Sequence, residues 1–170
     1  MTDRPNDAER PIDAVGTTQR RWSELGMAQP EHFAAMSALL RASAILSGVI
    51  GKALKPFKVS RRGLLVMIIL FVSPDDGRPL GQIGKILMVH PTTVTLTVDQ
   101  LTAAGLVERR AHPTDRRTVL AALTPAGIET MTQIADALAA VDYGLIGTDA
   151  DTAGDVYGAL RRALAMMGDA

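Results

Sequence analysis

Residues 80–107 read LGQIGKILMVHPTTVTLTVDQLTAAGLV, and this stretch decides the fold. Leu80, Ile83, Ile86 and Leu87 recur at helical spacing over a short segment. Met88-Val89-His90 is a three-residue connection. Pro91 then opens a second helix at the position where its missing N–H costs nothing. That helix, about Pro91 to Ala104, is ~21 Å long at 1.5 Å per residue. Gly105 follows as a left-handed C-cap, and Leu106-Val107 leaves as extended chain. Two short helices, a tight turn and a capping glycine make a helix-turn-helix signature.

At 100° per residue, Val94, Val98 and Leu101 form one narrow stripe on the second helix and belong to the core. Thr92, Leu96, Asp99 and Gln100 point away, with Thr93 and Thr95 on the flanks. No lysine or arginine occurs from Ile86 to Glu108. Thr and Gln hydrogen-bond base edges, and Leu or a Thr methyl contacts a thymine methyl. Three threonines among residues 92–95 sacrifice helix propensity, which suits a reading face. The alternative is that they only cap and solvate a helix end.

Outward from this motif, strands are expected at about Leu106–Ala111 and Thr118–Leu123. His112-Pro113-Thr114-Asp115-Arg116-Arg117 joins them as a hairpin with a basic tip. Thr124-Pro125 starts another helix as N-cap and N1 proline, with Ile128, Met131, Ile134, Ala135 and Leu138 on its apolar face. A last helix runs from about Thr152 to Met167. Upstream, the nine-residue apolar run Leu64–Val72 fits a buried helix or a buried strand by periodicity, the Ser60 cap and the length favour helix, and residues 73–77 form a turn. A long helix runs from about Pro30 to Leu54 and stops before Pro56. It is apolar around much of its circumference, so it is either the centre of a core or half of a dimer interface. Residues 1–21 are polar, lack periodicity and are expected to be a disordered tail.

Composition excludes much else. The chain has 170 residues, no cysteine, three histidines and a formal net charge of +0. Thiol nucleophiles, thiolate metal sites and thiol redox sensing are therefore absent. No nucleophile–base pair or phosphate-binding loop is apparent, so neither an enzyme nor a cofactor or metal site is expected. The longest uninterrupted apolar run is too short for a bilayer, and no signal peptide is visible in the sequence, so a soluble, cytoplasmic protein without membrane contact is expected. The neutral total hides a gradient. Residues 52–117 carry eleven basic and five acidic side chains, a net of +6, between segments of −1 and −5. Such a field attracts polyanions such as nucleic acid, although a merely solvated basic face is the alternative.

The sequence resembles the MarR family of winged helix-turn-helix transcriptional regulators, closely from about Val59 to Glu129. Asp115-Arg116-Arg117 with Leu123-Thr124 after it matches the family's wing signature. Val94-Thr95, Val98-Asp99, Leu101 and Gly105-Leu106-Val107-Glu108-Arg109 match the recognition helix and its exit. Thr124-Pro125-Ala126-Gly127 is also typical. The family usually has Ser or Thr where His90 stands and often a basic residue where Thr95 and Leu96 stand.

The resemblance implies a mainly α fold with a small β-hairpin wing. Residues 57–124 would form the DNA-binding lobe, with 22–56 and 125–170 forming the dimerisation helices. It implies a homodimer on a pseudo-palindromic duplex site, acting as a ligand-responsive repressor. A winged helix that has lost DNA binding and contacts protein is the alternative. His90, Thr92, Thr93, Thr95, Leu96 and Gln100 would read the major groove. Arg117, with Arg116 beside it, would enter the minor groove, and Asp115 would hold Arg117 by a charge-assisted hydrogen bond. Arg61, Arg62, Lys85 and Arg110 would contact phosphates. Asp99 would pair with Arg109 and brace helix against strand. An aromatic or phenolic effector would lodge in a cleft lined by Phe33, Met36, Met67 and Phe71, unless these are plain core.

Overall fold

The computed structural model describes residues 13–73, 77–112, 114–115 and 117–168. The chain divides into two compact units, residues 1–45 and 46–170.

In the first unit, helix α1 (Ala14–Glu24) begins where the Asp13 carboxylate accepts the Gly16 amide at 2.9 Å. A disordered tail was the expectation for residues up to 21, so positions 14–21 are a correction; residues 1–12 lie outside the described residues. Hydrophobic periodicity misses α1 because none of its residues is buried. Its end is tied down by an aromatic pair. The Trp22 ring stacks on Phe33 at 4.0 Å and 4°, and the Trp22 indole N–H donates to the Ala28 carbonyl at 3.1 Å. Helix α2 (Pro30–Leu54) leaves Met36, Leu39, Leu40 and Ile45 exposed. Among the described residues, one helical stretch, Pro30–Phe57, is long and apolar enough to span a bilayer by length and composition, with a mean hydropathy of 1.7 over an 18-residue window. The expectation drawn from uninterrupted runs overlooked it because scattered polar residues break the apolar sequence.

In the second unit, α2 ends at Leu54, and Lys55–Phe57 makes a 3-10 turn. Helix α3 (Arg61–Phe71) starts at Ser60, whose hydroxyl accepts the Gly63 amide at 3.0 Å. The apolar run is thus helical, and Leu64, Val66, Met67, Ile69 and Leu70 are buried. Strand β1 (Arg78–Pro79) leads into helix α4 (Leu80–Leu87), and Met88 turns the chain in the left-handed region at φ 50°. Helix α5 (Pro91–Ala103) ends before Gly105, at φ +73°. Strands β2 (Val107–Ala111) and β3 (Val119–Leu123) pair antiparallel, with Val107 opposite Leu123 and Ala111 opposite Val119. β1 adds to the other edge of β3, with Arg78 opposite Ala121, so the sheet order is β1-β3-β2. This third strand is absent from the sequence reading. Two residues carry no period, and their pairing is imposed by β3.

Helix α6 (Pro125–Ala139) is capped by Thr124, and helix α7 (Ala150–Met166) by Asp149. Val66, Met67, Ile83, Val98, Ala121 and Ile134 are fully buried, so α3–α6 and the sheet share one core. The fold is a winged helix-turn-helix, mainly helical with a small antiparallel sheet.

Candidate nucleic-acid interface

The core stripe of α5 fixes which side faces outward. Val94, Val98 and Leu101 are buried as their spacing requires, and Thr97 joins them, its hydroxyl donating to the Thr93 carbonyl at 2.7 Å. Thr92, Thr95, Leu96, Asp99 and Gln100 are exposed, and Thr93 is half-buried. The exposed Asp99 carboxylate accepts Arg109 Nη2 through Oδ1 at 2.6 Å, which ties α5 to β2 as expected.

His90 is the N-cap of α5. Its Nδ1 accepts the Thr92 amide at 3.3 Å, with the Thr92 hydroxyl 3.1 Å away. Accepting at Nδ1 places the proton of the neutral ring on Nε2, which then carries the donor. Imidazole thus caps the helix where the family usually has Ser or Thr, so His90, expected to contact DNA, spends Nδ1 on the backbone.

The wing tip is held by two nested sets of hydrogen bonds. His112 Nδ1 accepts the amides of Thr114 at 3.3 Å and Asp115 at 3.2 Å. Asp115 then accepts the Thr118 hydroxyl at 2.6 Å and the Arg117 amide at 3.0 Å. The Thr118 hydroxyl, and after it the Arg117 amide, hold the Asp115 carboxyl below the usual carboxylate range. This corrects the expected contact. Asp115 grips the backbone of Arg117 and shapes the turn, while the exposed Arg117 guanidinium has no hydrogen bond or ion pair among the described residues. Arg116 and Pro113 lie outside the described residues.

A groove of about 460 Å³ between α4 and the wing is lined by Pro79, Leu80, Gln82, Lys85, Arg117 and Thr118. It brings two expected DNA-contacting cations, Lys85 and Arg117, to one place. Of the other four, Arg116 lies outside the described residues and three separate from it. Arg61 donates to the Ser47 hydroxyl on α2. Arg62 is exposed at the start of α3. Arg110 pairs with Glu108 at 2.6 Å and lines a different cavity of about 320 Å³, beside Phe71, Leu123, Pro125 and Ile128. Strand alternation explains this last difference, because Arg109 turns toward α5 and its neighbour Arg110 to the opposite face.

The expected cleft residues fall two in each unit. Met67 is fully buried core, Phe71 lines the 320 Å³ cavity, and Phe33 is stacked on Trp22. Met36 is exposed on α2. His112, Thr118 and Gln82 were not singled out by the sequence. A His-Pro-Thr-Asp turn is the only local signal for the first two, since such polar side chains bond backbone a few residues on.

A MarR family profile matches residues 64–119. Sco5413, a MarR family transcriptional regulator from Streptomyces coelicolor, is 34% identical and superposes with a TM-score of 0.74, covering 82% of this chain and 96% of its own. The chain belongs to the MarR family. The HTH-type transcriptional regulator MhqR of Bacillus subtilis (strain 168) is 36% identical over 69 residues. That alignment takes in 41% of this chain and 46% of MhqR, so it spans less than half of that relative. The S. aureus MepR–DNA complex shares the MarR fold at 20% identity, with a TM-score of 0.66 and coverage of 76% of this chain and 96% of MepR. The expectation that the chain is not an enzyme accords with membership of a family whose relatives here are named as regulators.

Proposed function

We propose that the chain is a double-stranded DNA-binding transcriptional regulator, a homodimer that lays α5 in the major groove and the wing in the adjacent minor groove. The observation that carries this is a division of labour between α5 and the wing. Asp99 is neutralised by Arg109, the outer side chains of α5 stand exposed, and Arg117 leaves a stiffened turn to share a groove with Lys85. Narrow A·T-rich minor grooves have enhanced negative potential, which favours such a guanidinium. MepR, of the same fold, is known in complex with DNA.

Dimerisation is supported by apolar side chains that a single chain leaves in water: Met36, Leu39, Leu40 and Ile45 on α2, and separately Val156, Tyr157, Leu160 and Leu164 on α7. Twofold symmetry gives a pseudo-palindromic site with half-sites about 10 bp apart. The regulator acts as a repressor in the cytoplasm, released by a small aromatic or phenolic effector. The 320 Å³ cavity beside Phe71 is of a size to take such a molecule.

An electrophoretic shift assay on the DNA upstream of the protein's own coding region, with and without aromatic acids and phenols, tests the proposal. With ~6–10 phosphate contacts, affinity falls ~10³–10⁵-fold between 50 and 200 mM salt. A flat salt response overturns it. The second reading, a winged helix that contacts protein, is favoured by the absence of Lys and Arg from α5. It gains if no duplex is retained.

A further inference from the structure

We infer that α5 reads an A·T core in each half-site, with thymine C5 methyl groups packed against Leu96, and does not read guanine. This rests on the DNA-binding reading above and specifies the bases that it selects.

The inference comes from asking which groups on α5 are still available. The Thr97 hydroxyl is committed to the Thr93 carbonyl. The Thr92 hydroxyl lies against His90 Nδ1 and the Asp99 carboxylate against Arg109. What remains on the outer face is the Thr95 hydroxyl, the Gln100 amide and the Leu96 side chain, 60% exposed, with the His90 Nε2 donor at the N-cap.

Thr92, Leu96 and Gln100 stand four residues apart in one row, with about 6 Å of helix between neighbours. The row is ~12 Å long and faces three to four base pairs at 3.4 Å each. Leu96 is its midpoint, an isobutyl group surrounded by polar neighbours.

Each base edge can be set against that row. Guanine offers two acceptors, O6 and N7, and is read by the paired donors of Arg or Lys. α5 has neither residue, the single Nε2 donor of His90 at its N-cap cannot pair with both acceptors, and Lys85 and Arg117 line a groove formed by α4 and the wing. Cytosine offers a donor and is read by a carboxylate, but Asp99 is held by Arg109. Adenine presents N6 and N7 to an amide such as Gln100, and thymine alone presents a methyl group to an apolar side chain. A leucine in the middle of the row therefore gains contact area only over thymine.

The test uses the full chain. Duplexes are first selected from a random pool. Thymine in the selected site is then replaced by deoxyuridine, one position at a time, which removes only the methyl group. The expected result is an A·T core in which one or two substitutions each weaken binding about fourfold, the effect of one buried methyl. Leu96→Ala, a change at an exposed position, is expected to bind with unchanged salt dependence and to bind thymine and uracil equally at those positions. A selected G·C core, or wild-type protein indifferent to deoxyuridine throughout, overturns the inference while leaving DNA binding intact. Equal deoxyuridine sensitivity in wild type and Leu96→Ala overturns the role of Leu96. No retained duplex of any sequence overturns DNA binding itself and the inference with it.

Discussion

Replacing Gly127 with alanine sets two effects of opposite sign against each other. Gly127 lies in the first turn of α6, where helix propensity alone favours alanine by about 1 kcal/mol. Space decides otherwise. A Cβ there would run into the Leu106 carbonyl oxygen and stand 2.9 Å from its carbon, well inside the ordinary ~3.5–4.0 Å contact distance. Backbone cannot rotate away as a side chain can.

The same junction holds three hydrogen bonds. The Thr124 amide donates to the Leu106 carbonyl at 3.1 Å, the Thr124 hydroxyl to the Gly105 carbonyl at 2.7 Å, and the Gly127 amide to the Thr124 hydroxyl at 3.0 Å. Overpacking costs about 1–3 kcal/mol, and each hydrogen bond lost about 1 kcal/mol more. With two of the three bonds weakened, Gly127→Ala is expected to destabilise the protein by ~2–3 kcal/mol. For a chain of this length that lowers Tm by roughly 5–10 °C. Thermal and urea unfolding at one fixed protein concentration measures it, since a dimer's stability depends on concentration. Gly81→Ala is the control, at an exposed α4 position where an added Cβ meets nothing within 4 Å. It is expected to stabilise by about 0.5–1 kcal/mol. A Gly127→Ala protein as stable as wild type, or more so, would refute the close approach of α6 to the exit of α5.

Arg117→Ala is expected to leave circular dichroism unchanged, to weaken DNA binding at least tenfold, and to lower the log–log salt slope by about 2 for two lobes; an unaltered affinity removes the wing arginine from the interface. Ser60→Ala deletes the cap of α3 and is expected to cost about 1 kcal/mol in urea unfolding, with no change in m-value. The Asp115 carboxyl is held below its ordinary value of about 3.9, so its ionised form supports the wing tip fully above that pH. That support is lost only as pH falls through the lowered folded-state value, so the part of the Arg117 amide shift that Asp115→Asn abolishes should lie below pH ~4. Movement of that resonance at pH 5–6 in an Asp115→Asn variant as well would assign it to another group. Asp149 caps α7 through the Thr152 amide at 2.7 Å, and its carboxyl is likewise held low, by the Thr152 amide first and then by its hydroxyl. Asp149→Ala should therefore speed hydrogen exchange at Thr152 and leave α5 unaffected.

The features legible from sequence were those whose causes lie within a few residues. Ser60, Thr124, Pro91 and Gly105 mark helix ends because capping and left-handed backbone are local preferences. The buried stripe Val94, Val98 and Leu101 follows from helical period alone, and it dictates that Leu96 and Gln100 face outward. The Asp99–Arg109 pair was also within reach, because the strand that leaves Gly105 must run back along α5.

Features created by encounters between distant segments were hidden. β1 exists because β3 offers an open edge to Arg78 and Pro79. α1 has no core face, and its end is secured by an aromatic stack and an indole hydrogen bond beyond its own span. At the site, charge and order along the chain pointed to six cations bound for DNA, of which Arg116 lies outside the described residues. Side-chain direction divided them: Lys85 and Arg117 share a groove, while Arg61 turns to α2 and Arg110 to the opposite face of the sheet. Periodicity and caps are short-range and survive in a linear string of residues. Which hydrogen-bonding groups remain unspent depends on where the chain brings its distant parts together, and only the folded structure decides that.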